Sequence, residues 1–145
     1  MSREITLAVD VEAAPERITD ALTRQEGLAS FWTSDVTASP EVGAELRFGF
    51  EPAPTDLLVT LAALEPGGGL TWTPGDAWPH WAGTSIRWSL LPSPMGSGTR
   101  VLLVHDGWDD GYADGDLGSI AYTWSLVIGA LKGYLETGTP QPALR

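Results

Sequence analysis

The chain has 145 residues, 43% hydrophobic and 19% charged, with no cysteine. That size suits a single domain over residues 1–145 that folds without a staple, and the missing cysteine removes disulfides, thiolate zinc sites and thiol nucleophiles. The net charge is −11, and its few scattered basic residues give no footprint for nucleic acid or for an anionic membrane surface.

No apolar run reaches the 18 or so residues of a membrane span, so no integral membrane association is expected. The opening segment MSREITLAVD lacks the apolar core of a signal peptide, which points to the cytoplasm. Lysine occurs only at Lys132, beside abundant Ala, Gly and Pro. That bias belongs to a GC-rich bacterial genome, such as that of an actinobacterium.

Residues Glu4 to Glu12 alternate, with Ile5, Leu7, Val9 and Val11 on one face, which predicts a strand with one buried side. Pro15 opens a helix over Pro15–Thr23, where Ile18, Ala21 and Leu22 share a side. A second short helix is expected from about Arg24 to Ser30, leading into Phe31 and Trp32. Strand patterns then recur at Asp35–Ala38, Ala44–Phe50, Thr55–Glu65, Leu70–Thr73, Thr84–Leu91 and Thr99–Asp106. In the second of these, Leu46, Phe48 and Phe50 share a face; in the third, Leu57, Val59, Leu61 and Ala63 do. Pro66-Gly67-Gly68-Gly69 is a turn, and the segment from Pro92 to Gly98 is a long hairpin tip. Pro74–Gly83 reads as irregular and rich in tryptophan.

A long helix is expected to start near Leu117 or Ser119 and to end at Thr137, with Gly138 as its cap and Pro140 beyond it. Ile120, Trp124, Val127, Leu131 and Leu135 form its apolar stripe. The order is strand, two short helices, six strands, long helix. It implies an α+β fold whose curved antiparallel sheet of six or seven strands holds the terminal helix.

Four segments resemble a known family. They are ITLAVDVEAAPERITDALT, the Phe31-Trp32 pair, GTRVLLVHDGW and YTWSLVIGALKGYLETG. In order and spacing the chain resembles the SRPBCC, or START-like and Bet v 1-like, superfamily with its helix-grip fold. Within it, the chain resembles the Hsp90-ATPase-activator homologue (AHSA1-like) family over nearly its whole length. The resemblance implies a hydrophobic cavity between sheet and helix. Relatives in the superfamily include lipid carriers, hormone receptors, polyketide cyclases and small stress proteins, and the fold alone does not choose among them. Trp72–Trp81 and the acidic loop Asp106–Asp116 depart from the family pattern.

Tryptophan is abundant, with seven in the chain. Core packing is the ordinary use of any one of them. Trp78 and Trp81, however, sit in a Pro/Gly-rich stretch where core demand is low, and a flat apolar ligand is their natural counterpart. The expected ligand-binding residues are Trp72, Trp81, Trp88, Leu103, Trp108, Tyr112 and Trp124. His80, His105 or Arg87 would supply a polar anchor. Either histidine suits acid–base chemistry in principle, but each is read first as an ordinary loop or strand-end residue.

The acidic loop does not follow a calcium-binding spacing, and its carboxylates suit a helix N-terminus instead. No metal or cofactor is expected. The leading expectation is a non-catalytic binder of a small hydrophobic ligand, present as monomer or homodimer. A cyclase/aromatase- or hydrolase-type enzyme in the same cavity is the alternative. A third reading, suggested by the family name, is a chaperone partner.

Overall fold

A computed structural model describes residues 3–51, 53–109 and 114–143. Its elements run β1 (Glu4–Val11), α1 (Pro15–Thr23), α2 (Gln25–Phe31), β2 (Val36–Thr37), β3 (Glu45–Phe48), β4 (Leu57–Glu65), β5 (Gly69–Pro74), β6 (Ser85–Pro92), β7 (Thr99–Asp106) and α3 (Asp114–Thr137). The strands form one curved antiparallel sheet in the order β1-β7-β6-β5-β4-β3-β2. Each neighbour is joined by a hairpin-type connection except β1, which closes the far edge against β7.

The first helix forms where Pro15 removes a donor that a helix start leaves unpaired anyway. Its Ile18 and Leu22 are fully buried, worth about 1.5–3 kcal/mol each. Arg24 is extended (φ −99°, ψ 146°), which ends α1 and starts α2 one residue later than the sequence suggests. The two helices touch closely at Gly27, where a Cβ would lie 2.5 Å from the Ala21 Cα.

Along the middle strands, side chains alternate between the concave face and the solvent. Leu46 and Phe48 of β3, Leu57, Val59 and Leu61 of β4, Leu70 and Trp72 of β5, Ile86, Trp88 and Leu90 of β6, and Val101 and Leu103 of β7 are all buried. Strand β4 departs from simple alternation. A bulge between Leu61 and Ala63 exposes Ala63 and turns Leu64 inward, opposite Leu70. The expected strand at Thr55 begins instead at Leu57, and Pro74 belongs to β5 rather than to the loop after it.

Helix α3 starts at Asp114, earlier than expected. The carboxylate of Asp116 in its first turn suits the positive end of a helix. It ends as anticipated: Gly138 takes φ 76° and donates its N–H to the Tyr134 carbonyl at 2.7 Å. Trp124, Val127, Leu131 and Leu135 are buried against the sheet, and Ile120 is half-buried.

The C-terminal half of α3 is stapled to the end of β1. The Lys132 ammonium donates to the Asp10 carbonyl at 2.6 Å, and the Glu12 N–H donates to the Glu136 carboxylate at 2.9 Å. Beyond the helix, Gln141 and Ala143 donate to the Ser30 and Phe31 carbonyls and tie the tail to α2. These anchors all lie in the second half of α3 or beyond its end. The first half spans the end of the sheet where β3–β4 and β5–β6 connect, and there space remains. Among the described residues, no helix is long and apolar enough to cross a membrane.

Candidate functional site

That space is a cavity of about 630 Å³. Its walls come from Trp32 after α2, Phe50 to Leu57 leading into β4, Ala77 to Trp81 between β5 and β6, and Ser119 to Val127 of α3. Pro52 lies outside the described residues. The volume falls in the range of small-molecule sites.

Five aromatic side chains line it: Trp32, Phe50, Trp78, Trp81 and Trp124. Their rings form a closed circuit. Centroids lie 5.9 Å apart for Trp32–Phe50, 5.8 Å for Phe50–Trp78, 5.2 Å for Trp78–Trp81, 6.1 Å for Trp81–Trp124 and 5.2 Å for Trp124–Trp32. All fall within the 4.5–7 Å over which aromatic pairs attract. Trp32 and Trp124 are buried and make the floor, while Phe50 and Trp78 are half-buried towards the mouth. Polar groups in the lining are few: Glu51, Thr55, His80, Ser119 and Thr123.

Two hydrogen-bonded devices hold the circuit. The Trp78 indole N–H donates to the Thr55 carbonyl at 2.9 Å, which joins the β5–β6 connection to the approach to β4. The other runs through His105, fully buried on β7. An indole N–H only donates, so Trp124 Nε1 at 3.2 Å makes His105 Nδ1 an acceptor. The ring proton is therefore on Nε2, which donates to Thr84 Oγ1 at 2.9 Å. Thr84 in turn donates to the Trp81 carbonyl at 2.6 Å. One imidazole thus links sheet, helix and the Trp81 turn. Burial pushes its pKa down to about 3, so it is neutral across the physiological range.

The expected site residues divide along these lines. Trp81, Trp124 and His80 are in the cavity wall, with His80 exposed at the mouth. Trp72 and Trp88 face inward as expected, but other rings cover them. Trp72 lies 5.7 Å from Trp32, and Trp88 lies 5.8 Å from Trp124. Their indole N–H groups, with that of Trp32, are buried without an oxygen or nitrogen acceptor. Leu103 is fully buried in the centre of β7 and does not reach the cavity.

Trp108 packs behind Trp81 at 6.0 Å and donates its N–H to the His105 carbonyl. Arg87 is on the opposite face of the sheet, because Ile86, Trp88 and Leu90 take the inward positions of β6. There it pairs with Asp106 at 2.7 Å and is half-exposed. Tyr112 lies outside the described residues.

Trp32, Phe50 and Trp78 complete the wall; Trp78 was matched to a flat ligand by its Pro/Gly-rich setting though not named among the expected site residues, whereas Trp32 and Phe50 were not anticipated there. Phe50 was legible from its shared face with Phe48, on which it stacks with a 4° interplanar angle. Among the described residues, no group of His, Asp or Glu side chains is arranged to hold a metal ion.

Comparison with known proteins agrees with this architecture. The family model for Activator of Hsp90 ATPase homolog 1-like proteins matches residues 12–136. No curated protein matches the chain. The solution structure of the Aha1 dimer from Colwellia psychrerythraea is 27% identical, with a TM-score of 0.82 over 94% of this chain and 98% of that one. A crystal structure of a protein from Staphylococcus saprophyticus is 22% identical, with a TM-score of 0.76 over 96% of each chain. DynU16, from the dynemicin biosynthetic locus, is also 22% identical with a TM-score of 0.76, over 98% of this chain but 49% of its own. With its helix-grip sheet, its long terminal helix and the match over residues 12–136, the chain belongs to the family of Activator of Hsp90 ATPase homolog 1-like proteins, within the SRPBCC superfamily.

Proposed function

We propose that this protein binds a small, mainly apolar and preferably flat molecule in the cavity beneath the first half of α3. The observation that carries the reading is a wall of five mutually contacting rings, Trp32, Phe50, Trp78, Trp81 and Trp124, on about 630 Å³ of space. A well-packed interior keeps few voids larger than a water molecule, so an aromatic-lined space of this size favours an occupant. Trp32 and Trp124 would stack on the ligand, and Phe50, Trp78 and Trp81 would flank it. Thr123, Ser119 and His80 would orient its polar atoms. Trp72, Trp88, Leu103 and Trp108 would act from behind by fixing the lining rings.

Binding without chemistry is favoured over catalysis because His105 stands outside the lining with both ring nitrogens engaged, and His80, the histidine in the wall, is exposed at the mouth. Titration of a library of flat aromatics and fatty acids, followed by tryptophan fluorescence, tests the reading. A saturable change is expected for at least one class. Absence of saturation across the library would count against it.

A second reading concerns assembly. The Colwellia psychrerythraea neighbour is a dimer, and Tyr122 and Leu126 are exposed on the outer side of α3. A homodimer through that surface would give a doubled mass in native mass spectrometry. Partnership with an Hsp90 rests on the family description alone, and a pull-down with the bacterial chaperone at low salt is its test.

A further inference from the structure

We infer that the cavity is built for a cationic ligand: an aromatic or alkyl body bearing a protonated or quaternary amine. The inference rests on the binding reading above and assigns a charge to the occupant. Three observations carry it. The wall is a circuit of five aromatic rings, and the faces of such rings carry the negative part of the quadrupole that attracts cations. Among the described residues, Glu51 is the one carboxylate in the lining, and no lysine or arginine lines the cavity.

Among the described residues, Arg47 pairs with Asp35 and Asp56, Arg87 with Asp106, and Arg100 with Asp10, all away from the lining. The net charge of −11 also concentrates cations and repels anions at the mouth. The N-terminal end of α3 carries positive potential, and Asp116 sits in its first turn and opposes it. A flat apolar body therefore fits against Trp32 and Trp124. Its ammonium group lies towards Phe50 and Trp78, within reach of Glu51. An anionic amphiphile of the same shape would meet the carboxylate with no cation to receive it.

The test uses three molecules sharing a 1-naphthylmethyl body: trimethyl(1-naphthylmethyl)ammonium, 1-naphthalenemethanol and 1-naphthylacetate. Each is titrated calorimetrically into the full chain at pH 8, in low and in high salt. The ammonium compound is expected to bind about 3- to 30-fold more tightly than the alcohol, the range that cation–π attraction supplies. The carboxylate is expected to bind more weakly than either, and the ammonium preference should shrink at high salt.

Glu51 is exposed, so Glu51→Gln should fold normally. It should lower ammonium affinity several-fold and leave that of the alcohol unchanged. Equal or tighter binding of the alcohol or the carboxylate overturns the charge inference while leaving the binding reading intact. Binding of none of the three overturns both. An unaltered ammonium affinity in Glu51→Gln overturns the pairing with that carboxylate.

Discussion

Replacing Trp124 by alanine removes one side chain from two structures at once, the aromatic floor and the hydrogen-bonded link through His105. Trp124 is 2% exposed and touches Trp32, Trp81, Trp88 and the His105 ring at centroid distances of 5.2–6.1 Å. Truncating a buried aromatic of this size costs about 3–5 kcal/mol. It also leaves His105 Nδ1 buried without its donor, a further penalty of about 1–3 kcal/mol unless water enters from the adjoining cavity. The expected total is about 4–8 kcal/mol, a large share of what such a domain possesses.

Trp124→Phe separates the two contributions. It keeps a ring on the floor but removes the N–H, and should cost about 1–3 kcal/mol. Chemical denaturation followed by far-ultraviolet circular dichroism measures both, with slopes compared to confirm a common unfolding transition. A loss below about 1 kcal/mol for the alanine variant would mean that Trp124 neither packs nor donates as described. Equal losses for the two variants would assign the whole effect to the hydrogen bond.

Three other expectations are checked by separate measurements. His105 has a folded pKa near 3 against an ordinary 6.5, so below 6.5 the unfolded chain binds a proton that the folded chain does not. Its contribution is complete above pH 6.5 and is lost progressively as pH falls towards 3, amounting to at most ~5 kcal/mol; histidine NMR should show no His105 titration between pH 5 and 8. Gly98 takes φ 87°, and a Cβ there would sit 2.3 Å from the Val11 carbonyl oxygen, so Gly98→Ala should destabilise by about 1–3 kcal/mol in thermal unfolding. In hydrogen exchange, residues 75–83 beside the cavity mouth should open faster than Thr99–Val104 and slow when a ligand binds; equal, ligand-independent protection would contradict their place at the mouth.

Much of the architecture was legible because its signals are local. Pro15 fixed the start of α1, Gly138 and Pro140 its counterpart at the end of α3, and strict alternation delimited β7 at Thr99–Asp106. The bulge in β4 was not legible, since Leu57 to Leu64 is apolar on both faces and alternation there has two equally good registers. The cavity was only half legible. Trp81 and Trp124 were identified by type and position, yet Trp72 and Trp88 look no different in sequence. What separates them is that Trp32 and Trp124 lie over them, a relation set by how α2 and α3 cross the sheet. His105 shows the same limit. Its role depends on Thr84 and Trp124, 21 and 19 residues away, and nothing in the local sequence pairs them.

The central claim is that the space beneath α3 is a binding site. Its most direct test is two-dimensional NMR of the backbone amides and the seven indole N–H groups during titration with 1-naphthalenemethanol. The account predicts saturable shifts that are largest for Trp32, Trp78, Trp81 and Trp124, and smaller for Trp72, Trp88 and Trp108 behind them. Shifts that never saturate, or that spare those four while moving residues on the outer side of α3 such as Tyr122 and Leu126, would contradict it.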